Sequence, residues 1–366
     1  MRNRKNKITA VLASAVLLMT GSMTASASGD AMKIVVLGDG ISSGAKLASG
    51  AQSYVQLVES YTGADVTNYA VENNTMAGLL TQLEDAAVRQ SLQEADVILV
   101  TIGTHDALDP FMAKTHEFMT QFGFAKFADV FTAQLEDYGL TETTLQTVDQ
   151  PQLKEAAIVN RQSAADAMHE VTAALSGYEG QVVFQTVYNP IDTIENLDEL
   201  TSKRRLAYNT ICNPVSAAVN GTTDQYGTVL EEAVNTSIYA DAAQYGFTVV
   251  DTFNGFLDYA YKYVNLADLD VHPTAEGHRW MATQVLASAG LLKKGDVDAS
   301  GEVNAADAAE VLVHAATVGA GEPGTLTEGQ LAIGNVIADE NTDASDAARI
   351  LVYAAEEAAG NNPTWD

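Results

Sequence analysis

Five short apolar runs restrict the architectures open to this chain more than any other feature: Lys33–Leu37, Val66–Val71, Val97–Gly103, Val182–Tyr188 and Phe247–Thr252. Each is rich in β-branched residues, as buried strands are. Between them lie segments of helical period. Ala77–Arg89 is one, and residues 157–176 (AIVNRQSAADAMHEVTAALS) are another, with apolar side chains at three- and four-residue steps. Strand–helix alternation predicts a three-layer α/β domain with a largely parallel sheet. In such sheets chemistry gathers at the carboxyl ends of the strands. The unusual polar residues fall there: Asp39 and Gly40 after the first run, Asn73 and Asn74 after the second. Thr104, His105 and Asp106 follow the third, and Asn189-Pro190 follows the fourth.

Ahead of this body, residues 2–7 (RNRKNK) carry four positive charges, and residues 8–21 (ITAVLASAVLLMTG) are apolar. Ala25-Ser26-Ala27 then offers the small-x-small pattern of a signal peptidase site, so residues 1–27 read as a secretory leader and the protein as extracellular. The apolar run is too short to span a bilayer comfortably, so no membrane attachment is expected after cleavage. The whole chain has 19 Lys+Arg against 48 Asp+Glu, a net charge of −29. Without the leader it has 15 basic residues against the same 48 acids, a net of −33. A surface of that sign repels phosphate backbones and anionic headgroups, which argues against nucleic acid as a partner. The single cysteine, Cys212, excludes an internal disulfide framework and a thiolate zinc cluster.

Near the end of the α/β body, His272-Pro273-Thr274 leads into a helix, with Asp268 and Asp270 close by. A histidine beside a carboxylate has what a general base needs: a fixed tautomer and support for the imidazolium. A turn histidine beside a capping threonine is the alternative. His169 and His278 read as solvated helix-face residues. Residues 107–156 are rich in Phe and Thr; Phe111, Phe118, Phe122, Phe124 and Phe127 could wall a cap over the strand ends or form an ordinary packing face.

Four blocks, in order over residues 31–292, resemble the SGNH or GDSL-type ester hydrolases: VVLGDGISSG (35–44), NYAVENNTMAGLL (68–80), TIGTHD (101–106) and LDVHPTAEGH (269–278). The resemblance implies a flavodoxin-like α/β/α fold with a five-stranded parallel sheet, no cofactor in that domain, and ester hydrolysis on carbohydrate or lipid acyl groups. It also implies roles. Gly40 stands where the family has its nucleophilic serine, and Asn73 where it has an oxyanion-hole glycine. His105 replaces an oxyanion-donor asparagine, and His272 is the base. The aspartate partner is displaced: Leu269 holds the usual place three before the histidine, which leaves Asp270 or Asp268.

Without a hydroxyl at position 40 no acyl-enzyme forms there. The N–H of Gly40 and the amide of Asn73 could still polarise a carbonyl. Ser42, two positions on, is the candidate for a displaced nucleophile. A metal reading brings Asp39, His105 and His272 together around zinc with one open position. A non-catalytic module that keeps the cleft for binding glycan or protein is the alternative to an esterase.

The composition changes after residue 292. Residues 295–366 hold 14 acids and one base, Arg349. In 295–312 (GDVDASGEVNAADAAEVL), Asp296, Asp298, Ser300, Glu302, Asn304 and Asp307 fall at positions 1, 3, 5, 7, 9 and 12 of a calcium loop, with Gly301 at position 6. Glu302 would offer its backbone carbonyl. A second copy lies 39 residues later, with Asn335, Asp339, Asn341, Asp343 and Asp346 at positions 1, 5, 7, 9 and 12. There Ile337 replaces the acid at position 3 and Glu340 the glycine at position 6, so weaker binding is expected. The duplicated loop–helix unit, with AAEVLVHAA against AARILVYAA, resembles a type I dockerin over residues 293–360. That resemblance implies a small all-α calcium-binding domain, a cohesin module of a scaffoldin as partner, and a cellulosome acting on plant cell-wall polysaccharide. The family's partner-contact positions map to Ala305-Ala306 and Ala344-Ser345.

Overall fold

The computed structural model describes residues 31–145, 150–192, 194, 197–226, 228–257, 259–265, 270–337, 339 and 341–365. The leader segment, Asp268, Leu269 and Glu340 lie outside these described residues. The chain forms two compact units. One holds the described residues up to Ser53 together with Asp65–Gly277; the other joins Tyr54–Ala64 to His278–Asp366. The division therefore differs from a cut at residue 292. The short segment Tyr54–Ala64 groups with the C-terminal region although the 213 residues Asp65–Gly277 lie between them in sequence.

Among its described residues the first unit has seven strands: β1 (Lys33–Gly38), β2 (Asp65–Asn68), β3 (Val97–Thr101), β4 (Gln181–Gln185), β5 (Thr222–Thr223), β6 (Val229–Glu231) and β7 (Thr248–Val250). Five of them make one parallel sheet in the order β2-β1-β3-β4-β7, and β5 and β6 pair as a small antiparallel ribbon. All five expected strands are present, with ends shifted by up to three residues. Central β3 is buried along its whole length and β1 at all but its first residue, as near-continuous apolar runs in parallel sheets are. Edge strand β2 is mostly exposed. Helices cover the sheet to give the three-layer α/β fold. The order reverses direction between β1 and β3, and a crevice opens at the carboxyl ends of strands at such a switch point.

Close backbone packing at that point needs a glycine. Gly38 has φ 145°, and a Cβ there would lie 2.2 Å from the Thr101 carbonyl oxygen on β3. The helix Thr104–Phe122 starts directly after β3 and carries Pro110 in its interior. Proline offers no N–H to the Asp106 carbonyl, and Asn160 Nδ2 donates to that oxygen instead at 3.0 Å. Phe111, Phe118, Phe124 and Phe127 are buried. Phe118 meets the rings of Phe122 and Phe124, and separately Phe127 meets Phe131, which meets Tyr208. Burial of these rings accords with the packing-face alternative, since large apolar rings gain more from mutual burial than from an exposed wall. Among the described residues no helix is long and apolar enough to cross a membrane.

In the second unit the helices Ala305–Gly319 and Ala344–Ala358 pack together around Val297, Ala308, Val311, Val336, Ala347 and Ile350. These are three pairs spaced 39 positions apart, so the sequence duplication is also a duplication of the core. Asn304 and Asp343 cap the two helices, each in a capping box closed by Asp307 or Asp346. Two histidine expectations are corrected. His278 is fully buried, its Nδ1 accepting the Tyr54 N–H at 3.2 Å. His169, in the first unit, bridges Asp241 at 2.7 Å and Glu232 at 3.1 Å. Alternating helix-face patterns do not reveal a polar partner supplied by a distant segment.

Candidate functional site

At the carboxyl end of β1 the chain turns sharply into the short helix Gly40–Ser43, with Asp39 as its cap. The Asp39 Oδ1 accepts the Ile41 N–H at 3.0 Å and lies 3.4 Å from the Thr101 hydroxyl of β3. Burial pushes the Asp39 carboxyl up to about 6, against the opposing pull of the Ile41 N–H and of His105 and His272.

His272 comes from the far end of the unit, yet its Nε2 stands 2.4 Å from where a Cβ on Gly40 would be. Its Nδ1 lies 2.7 Å from Asp270 Oδ1, and the same oxygen accepts the His272 backbone N–H at 3.0 Å. This closes an Asx-type turn, which is how a carboxylate two residues away serves in place of one three away. A carboxylate accepts, so Nδ1 carries the proton and Nε2 is left as an acceptor facing Gly40. The loop is braced on both flanks. The Tyr188 hydroxyl donates to the Val271 carbonyl at 2.5 Å, and Val264 bridges Pro273. Burial, with Asp39 and Asp270 nearby, holds the Tyr188 phenol protonated far above its usual range.

The remaining expected residues separate. Ser42 is wholly buried and its hydroxyl lies 2.5 Å from Thr101 Oγ1. It presents no accessible nucleophile, because the first helical turn carries it under the strand ends rather than toward His272. Asn73 is exposed and adopts φ 60°, the left-handed shape that glycine favours and asparagine tolerates. Its neighbour Asn74 is the one that turns inward, donating to the Gly38 carbonyl and to Gln82 Oε1, both at 3.1 Å. His105 Nδ1 pairs with Asp109 at 2.8 Å, one helical turn on.

Asp39 senses both His105 and His272, but these three do not bring ligand atoms within 4.8 Å of one another, so the zinc trio is not assembled. Sequence reasoning assigned no role to Thr101, to Tyr188 or to the Asp106 carboxylate, which accepts the Met76 N–H at 3.0 Å. Thr101 and Asp106 lie inside the block TIGTHD, but their roles, like that of Tyr188, come from contacts distant in sequence.

A family model described as GDSL-like lipase/acylhydrolase matches residues 36–280. The chain belongs to the GDSL-like lipase/acylhydrolase family. None of the curated proteins matches it. Among solved structures it is similar to a lipase from a goat rumen metagenome (16% identity, TM-score 0.36, covering 71% of this chain and 98% of the other). It is similar too to a member of the lipolytic G-D-S-L family from Veillonella parvula (16%, 0.39, 72% and 100%). An acetylxylan esterase from Geobacillus stearothermophilus gives 16%, 0.39, 72% and 95%. Within the matched stretch, Gly40 faces the His272 imidazole, which is paired with Asp270.

A second cluster lies in the C-terminal unit. Carboxylate oxygens of Asp296, Asp298 and Asp307 come within 4.8 Å of one another, the one such group among the described residues. Asp296 and Asp307 are fully buried. Burial pushes Asp307 up to about 6 although the N–H groups of Asn304 and Asp298 pull it down; the charges of Asp298 and Asp296 add to the rise. Ser300 N–H and Gly301 N–H donate to the two Asp296 oxygens at 3.0 and 2.9 Å, folding the loop around its first position. Asp298 N–H donates to Asp307 Oδ1 at 3.0 Å, and Ile337 N–H to Asp346 Oδ1 at the same distance, so the two loops share one backbone pattern. Buried, mutually close carboxylates fit a hard divalent cation that takes oxygen ligands. In the second loop Ile337 is partly exposed and supplies no oxygen.

Proposed function

We propose that this is a secreted, scaffold-tethered protein whose acylhydrolase-fold domain engages acyl esters of carbohydrate without forming an acyl-enzyme at position 40. The observation that carries this reading is the 2.4 Å separation between His272 Nε2 and the Cβ position of Gly40. The base is aimed at the nucleophile's place, and the imidazole fills part of it. An Asp270–His272 pair can still withdraw a proton from a water held beside it. General-base help of this kind contributes roughly 10²–10⁴-fold, far below a complete triad with its nucleophile. The domain therefore turns over esters slowly and binds them better than it cleaves them.

The test is turnover of short acyl esters and of acetylated xylan by the mature protein, beside Gly40→Ser and His272→Ala. Slow wild-type turnover that vanishes in His272→Ala is expected, with a gain in Gly40→Ser once the imidazole gives way. Fast wild-type turnover that survives His272→Ala would overturn the reading. A purely binding role is the second reading, favoured by burial of the Ser42 hydroxyl; it is selected if acetylated xylan binds while no ester turns over at all.

For the C-terminal unit the reading is a dockerin. Asp296, Asp298 and Asp307 would hold calcium in the first loop with Ser300, Asn304 and the Glu302 carbonyl. Asn335, Asp339, Asn341, Asp343 and Asp346 would hold it more weakly in the second. Calcium supplies charge neutralisation that lets these carboxylates stay ionised while buried. The partner would be a cohesin. What supports that is the exposure of Ala305, Ala306, Ala344 and Ser345, together with the repeated exposed pairs Leu312-Val313 and Leu351-Val352 on the two duplicated helices. Binding of a purified cohesin with calcium and its loss in chelator test this; binding unaffected by chelation would overturn it.

A further inference from the structure

The helix Tyr54–Thr62 belongs to the stretch matched by the acylhydrolase family, yet it packs in the compact unit of the acidic loops. It is seated at one end by Tyr54, whose N–H donates to His278 and whose ring stacks on that imidazole, centroids 6.2 Å apart. At the other end the Tyr61 hydroxyl donates to Asp296 Oδ2 at 2.7 Å, and it accepts the Lys293 N–H at 3.0 Å. The Lys293 ammonium lies 5.6 Å from the Tyr61 ring centroid and donates to the Gly301 carbonyl at 2.8 Å. Asp296 is the first position of the first loop, and its Oδ2 thus has two donors, Tyr61 and Gly301 N–H. At the first position of the second loop, Asn335 Nδ2 donates to the Asp339 carbonyl at 2.7 Å.

We propose that Tyr61 is a positioning residue for a divalent cation in the first loop, and that the loaded loop anchors the helix Tyr54–Thr62. This rests on the calcium reading above. Two donors on Oδ2 fix the carboxylate plane, while Oδ1, which accepts the Ser300 N–H at 3.0 Å, retains a lone pair for the cation, the role that outer hydrogen bonds play toward metal ligands. Losing such a bond typically costs about 10–100-fold in metal affinity. The coupling is reciprocal: whatever the Tyr61 contact adds to cation affinity, cation binding returns as resistance of the helix to opening.

The experiment is calorimetric titration of the full mature chain with calcium alone, wild type beside Tyr61→Phe, which removes the hydroxyl and keeps the ring under Lys293. Affinity about tenfold weaker at the tighter site, with the weaker site unchanged, is the expected result. Wild-type binding with an unaltered Tyr61→Phe titration overturns the role of Tyr61 and leaves the calcium reading standing. A wild type that takes up no calcium overturns the calcium reading itself. Should the variant not fold, hydrogen exchange of the wild type carries the test. Calcium then slows exchange across Tyr54–Thr62, and unchanged exchange there overturns the proposal.

Discussion

His272 Nε2 occupies ground that a side chain on Gly40 would need, 2.4 Å from its Cβ position. The glycine is therefore not a passive gap beside an otherwise complete triad. The imidazole, held by Asp270, lies closer to the backbone of the turn after β1 than a side chain at position 40 would permit.

Gly40→Ala should consequently destabilise the protein. The clash forces His272 off its bond with Asp270, and overpacking of this kind costs about 1–3 kcal/mol, reduced by the smaller backbone entropy of alanine. Urea unfolding of Gly40→Ala, His272→Ala and the double variant forms a cycle. Recovery of most of the loss in the double variant is expected; additive losses would mean that the two residues do not compete for space.

Asp39 makes stability depend on pH. Its folded carboxyl is pushed up by burial from 3.8 to about 6. The stabilising contribution of the protonated form is fully present below pH 3.8 and is lost as pH rises through 6. Asp39→Asn keeps an acceptor for the Ile41 N–H and removes that loss, so it should stabilise the protein at pH 7–8 by up to about 3 kcal/mol. Below pH 4 the advantage should vanish. Thermal melts across this range decide it, and a stabilisation independent of pH would point to packing instead.

His169 acts in the opposite chemical sense and the same pH direction. Burial opposes its charged form, but bonds to Asp241 and Glu232 outweigh that and raise its affinity for the proton. Its contribution is present below pH 6.5 and fades as pH rises through the higher folded value. Partial exposure screens the pair, so His169→Gln should cost only about 0.5–1 kcal/mol at pH 6. The same substitution should cost less at pH 9, as denaturant midpoints at the two pH values would reveal.

Ile337 makes the two loops unequal. Calcium titration should resolve one tight and one weaker site, and Ile337→Asp should narrow the gap by restoring an oxygen at position 3. Two equal sites in the wild type would mean that another oxygen replaces the missing carboxylate.

Most of the fold was legible because its signals are local. Buried parallel strands read as apolar runs, and Val97–Thr101 emerged close to its expected bounds. The duplicated loops were legible for the same reason, since six donors and a glycine lie within 12 residues. Phe118 and Phe124 were ambiguous, because an apolar ring in sequence does not say whether it meets solvent or another ring. His278 and His169 were misread because their partners, Tyr54 and Asp241, lie on other segments.

The sequence by itself determined the layer architecture, the absent hydroxyl at position 40 and the repeat of acidic loops, because periodicity, residue identity and short spacing are properties of neighbouring residues. Only the tertiary structure decided that His272 meets Gly40, that Ser42 is sealed beneath Thr101, and that Tyr61 reaches Asp296 across 235 positions of chain. Those relations depend on which distant segments share the limited space of a close-packed interior, and packing is resolved only when the whole chain has folded.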